Sequence, residues 1–242
     1  AVERAKRRRA ALRALVAAVA AASVWGFFWS PLFSVRGVKV VGGDHTTAAE
    51  IAAAAGIDSE DNVLLVSTGE IASRARSLPW VKSADVDRML PGTIRVRITE
   101  RRPSLVLSCQ TGEWTLDKEG RVLATGAARR DLPVLAGVGV EAVRPGMFLR
   151  TREAKAALRV YAHLPRPVRR EVVAIFAPTL ERITLLLRDH MLVRYGAPEN
   201  LAAKNNLVGV LRARLRARGA AATYIDVRVP STPAIGGERP AR

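Results

Sequence analysis

The sequence predicts an α+β protein: a single N-terminal transmembrane helix, then a small domain of order β-α-α-β-β, then a mixed β domain with flanking helices. Three observations carry this. Residues 14–29 hold no charged side chain and follow a cluster of basic residues. Thr47 and Glu50 have capping-box spacing and open a helical pattern that stops at Gly56. Ile94, Val96 and Ile98 alternate with Arg95, Arg97 and Thr99, the period of two expected of a half-buried strand.

The membrane segment comes first. Counted over residues 11–29, with Arg13 reaching toward the head groups, the apolar run is long enough to cross a ~30 Å hydrocarbon core at ~1.5 Å per residue. Lys6, Arg7, Arg8 and Arg9 precede it in a basic tail over residues 1–10, which places the N-terminus in the cytoplasm and the rest of the chain outside. Trp25, Phe27, Phe28 and Trp29 cluster at the far end, where an interfacial aromatic belt belongs. Ala18-Val19-Ala20 fits a signal-peptidase site, but cleavage there would leave a Trp/Phe-rich stub. A buried core helix is the third reading, and the flanking arginines make it a poor one. The sequence opens on Ala rather than Met, which leaves room for a longer cytoplasmic tail.

Net charge is +17 and uneven. Residues 33–100 are nearly neutral, whereas residues 101–242 are strongly basic and Arg-rich. Such a chain suits anionic partners, but an exported domain does not meet chromosomal DNA, so a solvated Arg-rich surface is the plainer reading. Cys109 is the only cysteine, which excludes an intrachain disulfide and a zinc-type ligand set.

Residues 33–41 read as a strand ending at Gly42-Gly43. Thr46 or Thr47 caps a first helix. Residues 62–66 read as a short extended piece. Thr68 caps a second helix with Ile71, Ala75 and Leu78 on one face, ended by Pro79. Residues 81–89 and 93–100 are strands joined through Leu90-Pro91-Gly92-Thr93, with Pro and Gly where a type II turn favours them.

In the second domain, residues 104–110, 172–176, 183–187 and 191–195 read as strands, and residues 117–120 as a hairpin turn with Gly120 at the left-handed position. Thr151 starts one helix. Residues 198–218 form another, with Leu201, Val208, Leu211 and Leu215 inward. Residues 224–229 form a last strand. Residues 230–242, with three prolines and two glycines, read as disordered.

The blocks at residues 33–42, 78–88 (opening Leu78-Pro79-Trp80-Val81), 90–94 and 99–103 (Glu100-Arg101-Arg102-Pro103) resemble the POTRA domain of FtsQ/DivIB bacterial cell-division proteins, in an actinobacterial form. Asp117, Gly120, Leu132-Pro133-Val134-Leu135, Tyr195-Gly196, Lys204 and residues 224–230 are similar to that family's β domain. The resemblance covers residues 10 to about 231. It sets a POTRA domain at 33–101 and a β domain at 104–229.

What the resemblance implies is a non-catalytic divisome protein of the cell membrane and division septum. It would bridge cytoplasmic and extracytoplasmic components and bind FtsB/FtsL-type partners and other divisome membrane proteins, helping to control septal peptidoglycan synthesis. The family captures an FtsB-type segment by β-strand addition at the closing strand. By position the candidates here are Tyr224, Ile225, Val227, Arg228, Val229 and Ser231, with Val229 standing where the family often has an aromatic. A last strand followed by a disordered tail is a natural open edge.

A catalytic alternative, an exported enzyme or regulator acting on cell-wall polymer, finds little in the residues. The stretch from Gly137 to Ala142 matches G-x-G-x-x-A formally but lacks the strand, helix and acidic residue around it. His45, His163 and His190 share no ligand spacing. Glu113, Asp117 and Glu119 lie around a hairpin turn, where solvated carboxylates are expected. No catalytic residue, metal site, cofactor, nucleic acid or small-molecule substrate is expected.

Overall fold

The computed structural model describes residues 2–237, 239 and 240. They form two compact units, one ending at Glu100 and the other starting at Arg101.

The first unit opens with helix α1 (Val2–Phe28). Leu12–Phe33 is the one span among the described residues long and apolar enough to cross a membrane: 22 residues at mean hydropathy 1.6, exposed as far as Trp29, with Phe33 at its end buried in the first unit's core. The helix continues unbroken through residues 2–10, where the sequence suggests a separate tail. Ala and Arg are both good helix formers, and no Gly or Pro interrupts them there. Ser30 and Pro31 end it, with the Ser30 hydroxyl accepting from the Leu32 N–H at 3.3 Å to start a single 3-10 turn.

Strand β1 (Gly37–Val41), helices α2 (Ala48–Ala55) and α3 (Thr68–Ala75), and strands β2 (Val81–Met89) and β3 (Thr93–Glu100) then give the expected β-α-α-β-β order. The sheet runs β1-β3-β2, with β3 central, parallel to β1 and antiparallel to β2. Ile94, Val96 and Ile98 all face the core, packed with Ile51, Ala55, Ile71 and Ala75 of the helices. The Thr47/Glu50 capping box forms as read: the Thr47 hydroxyl accepts from the Glu50 N–H, and the Glu50 carboxylate accepts from the Thr47 N–H at 2.7 Å. Gly56 closes α2 at φ 64°.

Three local expectations are corrected here. Ser67, not Thr68, caps α3, because its hydroxyl is the one that reaches the Glu70 N–H. Residues 62–66 turn rather than extend, because the Asn62 side chain accepts from the Leu64 N–H at 2.9 Å and donates to the Phe28 carbonyl at 2.5 Å. The β2–β3 turn is not type II: the Leu90–Pro91 bond is cis and Gly92 does not sit at positive φ. Gly92 is needed for closeness instead, since a Cβ there would stand 2.4 Å from the Ser34 carbonyl oxygen.

The second unit contains β4 (Pro103–Cys109), β5 (Gly112–Asp117), β6 (Val122–Thr125), β7 (Val134–Ala136), α4 (Arg152–His163), α5 (Arg166–Arg169), β8 (Val172–Phe176), β9 (Thr184–Leu187), β10 (Leu192–Arg194), α6 (Leu201–Ala217), β11 (Ala220–Ala221), β12 (Tyr224–Asp226), β13 (Ala234–Gly236) and β14 (Arg239–Pro240). Nine of the strands form one mixed sheet, in the order β13-β12-β10-β9-β8-β7-β4-β5-β6. Leu105, Leu107, Leu135, Ile175 and Leu185 of this sheet are fully buried in one cluster with Ala157 and Val160 of α4 and Val208 of α6. Arg212 of α6, itself buried, pairs with Glu171 and, at 2.6 Å, with Asp189, which fastens the helix to the ends of the β8–β9 hairpin. Burial pushes the Asp189 carboxyl up, but the bonds from Arg212 and the Met191 N–H outweigh it and hold it below its ordinary value.

The C-terminal residues depart most from the sequence reading. Residues 234–236 and 239–240 are strands, not disordered chain: β13 pairs antiparallel with β12, and β14 with β11. Ile235 supplies the physical reason, packing its apolar side chain against the domain core.

Candidate partner-docking edge

The residues singled out near the C-terminus come from β12 and the segment after it. β12 is held from one side by β10 in parallel register, Leu192 beside Tyr224, Val193 beside Ile225 and Arg194 beside Asp226. The Leu192 N–H donates to the Thr223 carbonyl and the Val227 N–H to the Arg194 carbonyl, both at 3.0 Å. Ile225 and Val227 are fully buried, so their side chains belong to the core rather than to a contact surface.

α6 fixes the end of β10 from behind. Lys204 is buried, and its ammonium donates to the Tyr195 carbonyl at 3.1 Å and the Ala197 carbonyl at 2.8 Å. Burial draws its pKa below the usual lysine value, and Glu199 opposes this. The fully buried Tyr195 donates its hydroxyl to the Asn205 side-chain oxygen at 2.9 Å, and Asn205 donates to the His163 carbonyl of α4. Burial pushes the Tyr195 phenol well up. Every polar group in this cluster has a partner, so it is a rigid support.

The outer side of β12 differs from the expectation of an open edge. Residues 224–229 do not form one strand: β12 stops at Asp226. Arg228 folds back on Asp226 through two-pronged contacts of 3.0 Å and 2.7 Å, and its own N–H reaches the same carboxylate. Those hydrogen bonds from Arg228, with its charge, hold the Asp226 carboxyl below its ordinary range. Val229 and Ser231 lie in the following turn, where the Thr232 N–H donates to the Val229 carbonyl. Val229 is 56% exposed. The chain then returns as β13, which lies on β12 with Tyr224 opposite Gly236, Ile225 opposite Ile235 and Asp226 opposite Ala234. Tyr224, Ile225 and Val227 thus stand in line, Arg228 turns back, and Val229 and Ser231 belong to the connection.

Residues the sequence reading did not single out complete the site. The Arg194 guanidinium lies 4.0 Å above the Tyr224 ring. Arg182, Thr184, Arg194, Gly196 and Arg228, with Glu181, line a cleft of about 280 Å³ beside the end of β12. Gly196, at φ 70°, keeps clear a path that a Cβ would narrow to 3.0 Å from Arg228. Three arginines from three separate segments meet here, a juxtaposition that no local sequence pattern signals.

The other candidates take simpler roles. Trp25 and Trp29 lie tilted to each other with ring centres 5.9 Å apart, Phe27 meets Phe28 at 5.8 Å, and all four remain exposed at the C-terminal end of α1. Asp117 and Glu119 are both engaged by Arg101, at 2.6 Å and 2.9 Å, and Asp117 also accepts from the Glu119 and Arg121 N–H groups. Asp117 is therefore spent on shaping the β5–β6 turn. Among the described residues no group of three His, Cys, Asp or Glu side chains converges on a metal-sized space.

Residues 33–101 match the POTRA domain, FtsQ-type, and residues 108–228 match the FtsQ/DivIB cell-division protein C-terminal domain. The chain is 31% identical to the cell division protein FtsQ of Mycolicibacterium smegmatis over 222 residues, which is 92% of this chain and 63% of that protein. It is 31% identical to FtsQ of Streptomyces bingchenggensis over 87% of this chain and 79% of that protein, and 30% identical to FtsQ of Streptomyces coelicolor over 90% and 84%. With both domains matched in order behind one apolar N-terminal helix, the chain belongs to the FtsQ/DivIB family of cell-division proteins.

Proposed function

We propose that this protein is a non-catalytic bridge of the division machinery. α1 anchors it with the N-terminus in the cytoplasm and residues 33–242 outside, at the septum. The β12 end of the large sheet takes up an extended segment of an FtsB/FtsL-type partner by strand addition and so helps to control septal peptidoglycan synthesis. Tyr224, Asp226 and Arg228 supply the backbone groups that face away from β10, and Tyr224 supplies an aromatic surface.

One observation carries the reading. The outer side of β12 is covered by a strand of only three residues, next to a cleft lined by Arg182, Arg194 and Arg228. Main-chain groups on such an edge give affinity to any extended chain, and the adjacent arginines favour an acidic one. The orientation rests on the basic residues before the apolar span and their scarcity just after it.

The test is a titration of the full chain in nanodiscs with the extracytoplasmic segment of the FtsB-type protein of the same organism. Saturable binding is expected, weakened about tenfold or more by Arg228→Glu if the segment is acidic, a ~1.4 kcal/mol effect. Absence of binding at high micromolar concentration, with the melting curve intact, would reject the reading.

A further inference from the structure

The edge proposed for docking is already occupied by the chain's own tail. β13 lies along β12 as an incoming strand would, antiparallel and in a three-residue register. The Thr223 N–H donates to the Gly236 carbonyl at 2.9 Å. The Tyr224 ring lies so close to Gly236 that a Cβ there would stand 2.2 Å from a ring carbon. Only glycine fits, and the Arg194 guanidinium packs near the same ring. Ile235 is the single apolar anchor, half-buried against the core, while Ala234 is exposed. The tail fits the edge, yet the fit is small.

Its hold is therefore weak by sequence and strong only by tethering. Three residues of pairing and one half-buried side chain do not make an independently stable strand. Residues 227–233 join β12 to β13, so the tail is always within reach, and a short linker corresponds to an effective concentration near millimolar. A second, two-residue attachment of β14 to β11 adds to this. An occupant of this kind shields the exposed main-chain groups of β12, which would otherwise invite indiscriminate pairing. It yields to a longer or better-fitting strand.

We propose that residues 234–236 act as an internal blocking strand: they occupy the outer edge of β12, and a partner segment adds to the sheet only by displacing them. This deepens the strand-addition reading of the same site and rests on it for its biological meaning. A binder that meets an edge open only part of the time shows an affinity reduced by the open fraction.

The test uses the full chain in nanodiscs and, as probe, a fluorescein-labelled synthetic peptide of the chain's own residues 231–242. Four forms are compared, all carrying Cys109→Ser: the parent, a chain ending after residue 230, Ile235→Asp, and the double variant Asp226→Cys/Ala234→Cys, whose paired positions form a lock on oxidation. The expected result is peptide binding at least tenfold tighter to the truncated chain than to the parent. Ile235→Asp should approach the truncated chain. The oxidised lock should bind less than the parent, and reduction should restore it. Equal peptide binding by all four forms overturns the proposal, as does binding by none. The lock keeps the tail, so its answer stands even if truncation harms folding. Titrating the FtsB-type segment against the same forms separates the two ideas. Equal partner binding by parent and truncated chain removes the blocking role and leaves strand addition. Partner binding by neither removes strand addition, while the peptide result still decides whether the tail blocks the edge.

Discussion

Proline at Val227 is expected to damage the second unit, and proline at Arg228 to spare it. The Val227 N–H points inward, donating at 3.0 Å to the Arg194 carbonyl of β10, and its side chain is fully buried. Val227→Pro removes the donor and leaves the carbonyl without its partner inside the sheet, roughly 2 kcal/mol, and disturbs core packing by about 1 kcal/mol more. For a unit of this size ~3 kcal/mol lowers Tm by about 10 °C. The Arg228 N–H reaches only the carboxylate of Asp226, at an exposed position where water can replace it, so Arg228→Pro should cost about 1 kcal/mol or less. Neighbouring residues of an extended chain send their N–H groups to opposite sides, so Arg228→Pro removes a donor on the partner's side. It should weaken partner binding about tenfold while the protein stays folded. The assay is a thermal melt by circular dichroism, paired with the nanodisc titration. Equal Tm losses for the two variants would refute the inward–outward assignment. A folded Arg228→Pro that binds like the parent would refute the use of that donor.

Three further expectations follow from the first unit and the anchor. Val96→Asp puts a carboxylate at a fully buried site between β1 and β2; keeping it protonated at pH 7 costs about 4 kcal/mol, whereas Arg95→Asp on the open face costs less than about 1 kcal/mol, and matched melts would contradict the register. Burial pushes the Glu100 carboxyl up, but hydrogen bonds from the His45 ring and from the His45 and Asp44 N–H groups outweigh it and leave its pKa lowered, so its stabilisation is present above the ordinary carboxylate range and is lost as pH falls through the folded value; Glu100→Gln should flatten the acid limb of the first unit's stability curve, and an unchanged limb counts against this. With Cys109 replaced, an exposed Ser59→Cys should react with an impermeant thiol reagent on intact spheroplasts, and labelling only after lysis would reverse the topology.

Where the chain is long, periodic and locally signalled, its residues announce the fold. β2 and β3 begin and end where alternation and turn residues place them, and the Thr47/Glu50 box and Gly56 bracket α2 as read. The errors fall where a contact distant in sequence overrides the local signal. Asn62 is drawn into a turn that ties it to Phe28, 34 residues away. Residues 227–229 are as β-prone as 224–226, yet Arg228 folds back on Asp226 and ends the strand. The tail is the clearest case. Its Pro and Gly content reads as disorder, and nothing local says that Gly236 will fit beneath the ring of Tyr224. The arginine-lined cleft is illegible for the same reason, because Arg182, Arg194 and Arg228 meet only once β9, β10 and β12 are side by side.

Amide hydrogen exchange on the full chain, with and without the FtsB-type segment, tests the docking claim most directly. The account predicts that the partner slows exchange at Asp226 and Arg228, on the side of β12 turned away from β10, while Ala234 and Gly236, the tail residues opposite Asp226 and Tyr224, lose protection as the tail is displaced. A partner that binds tightly but leaves exchange over residues 224–236 unchanged, with new protection only elsewhere in the chain, would contradict it.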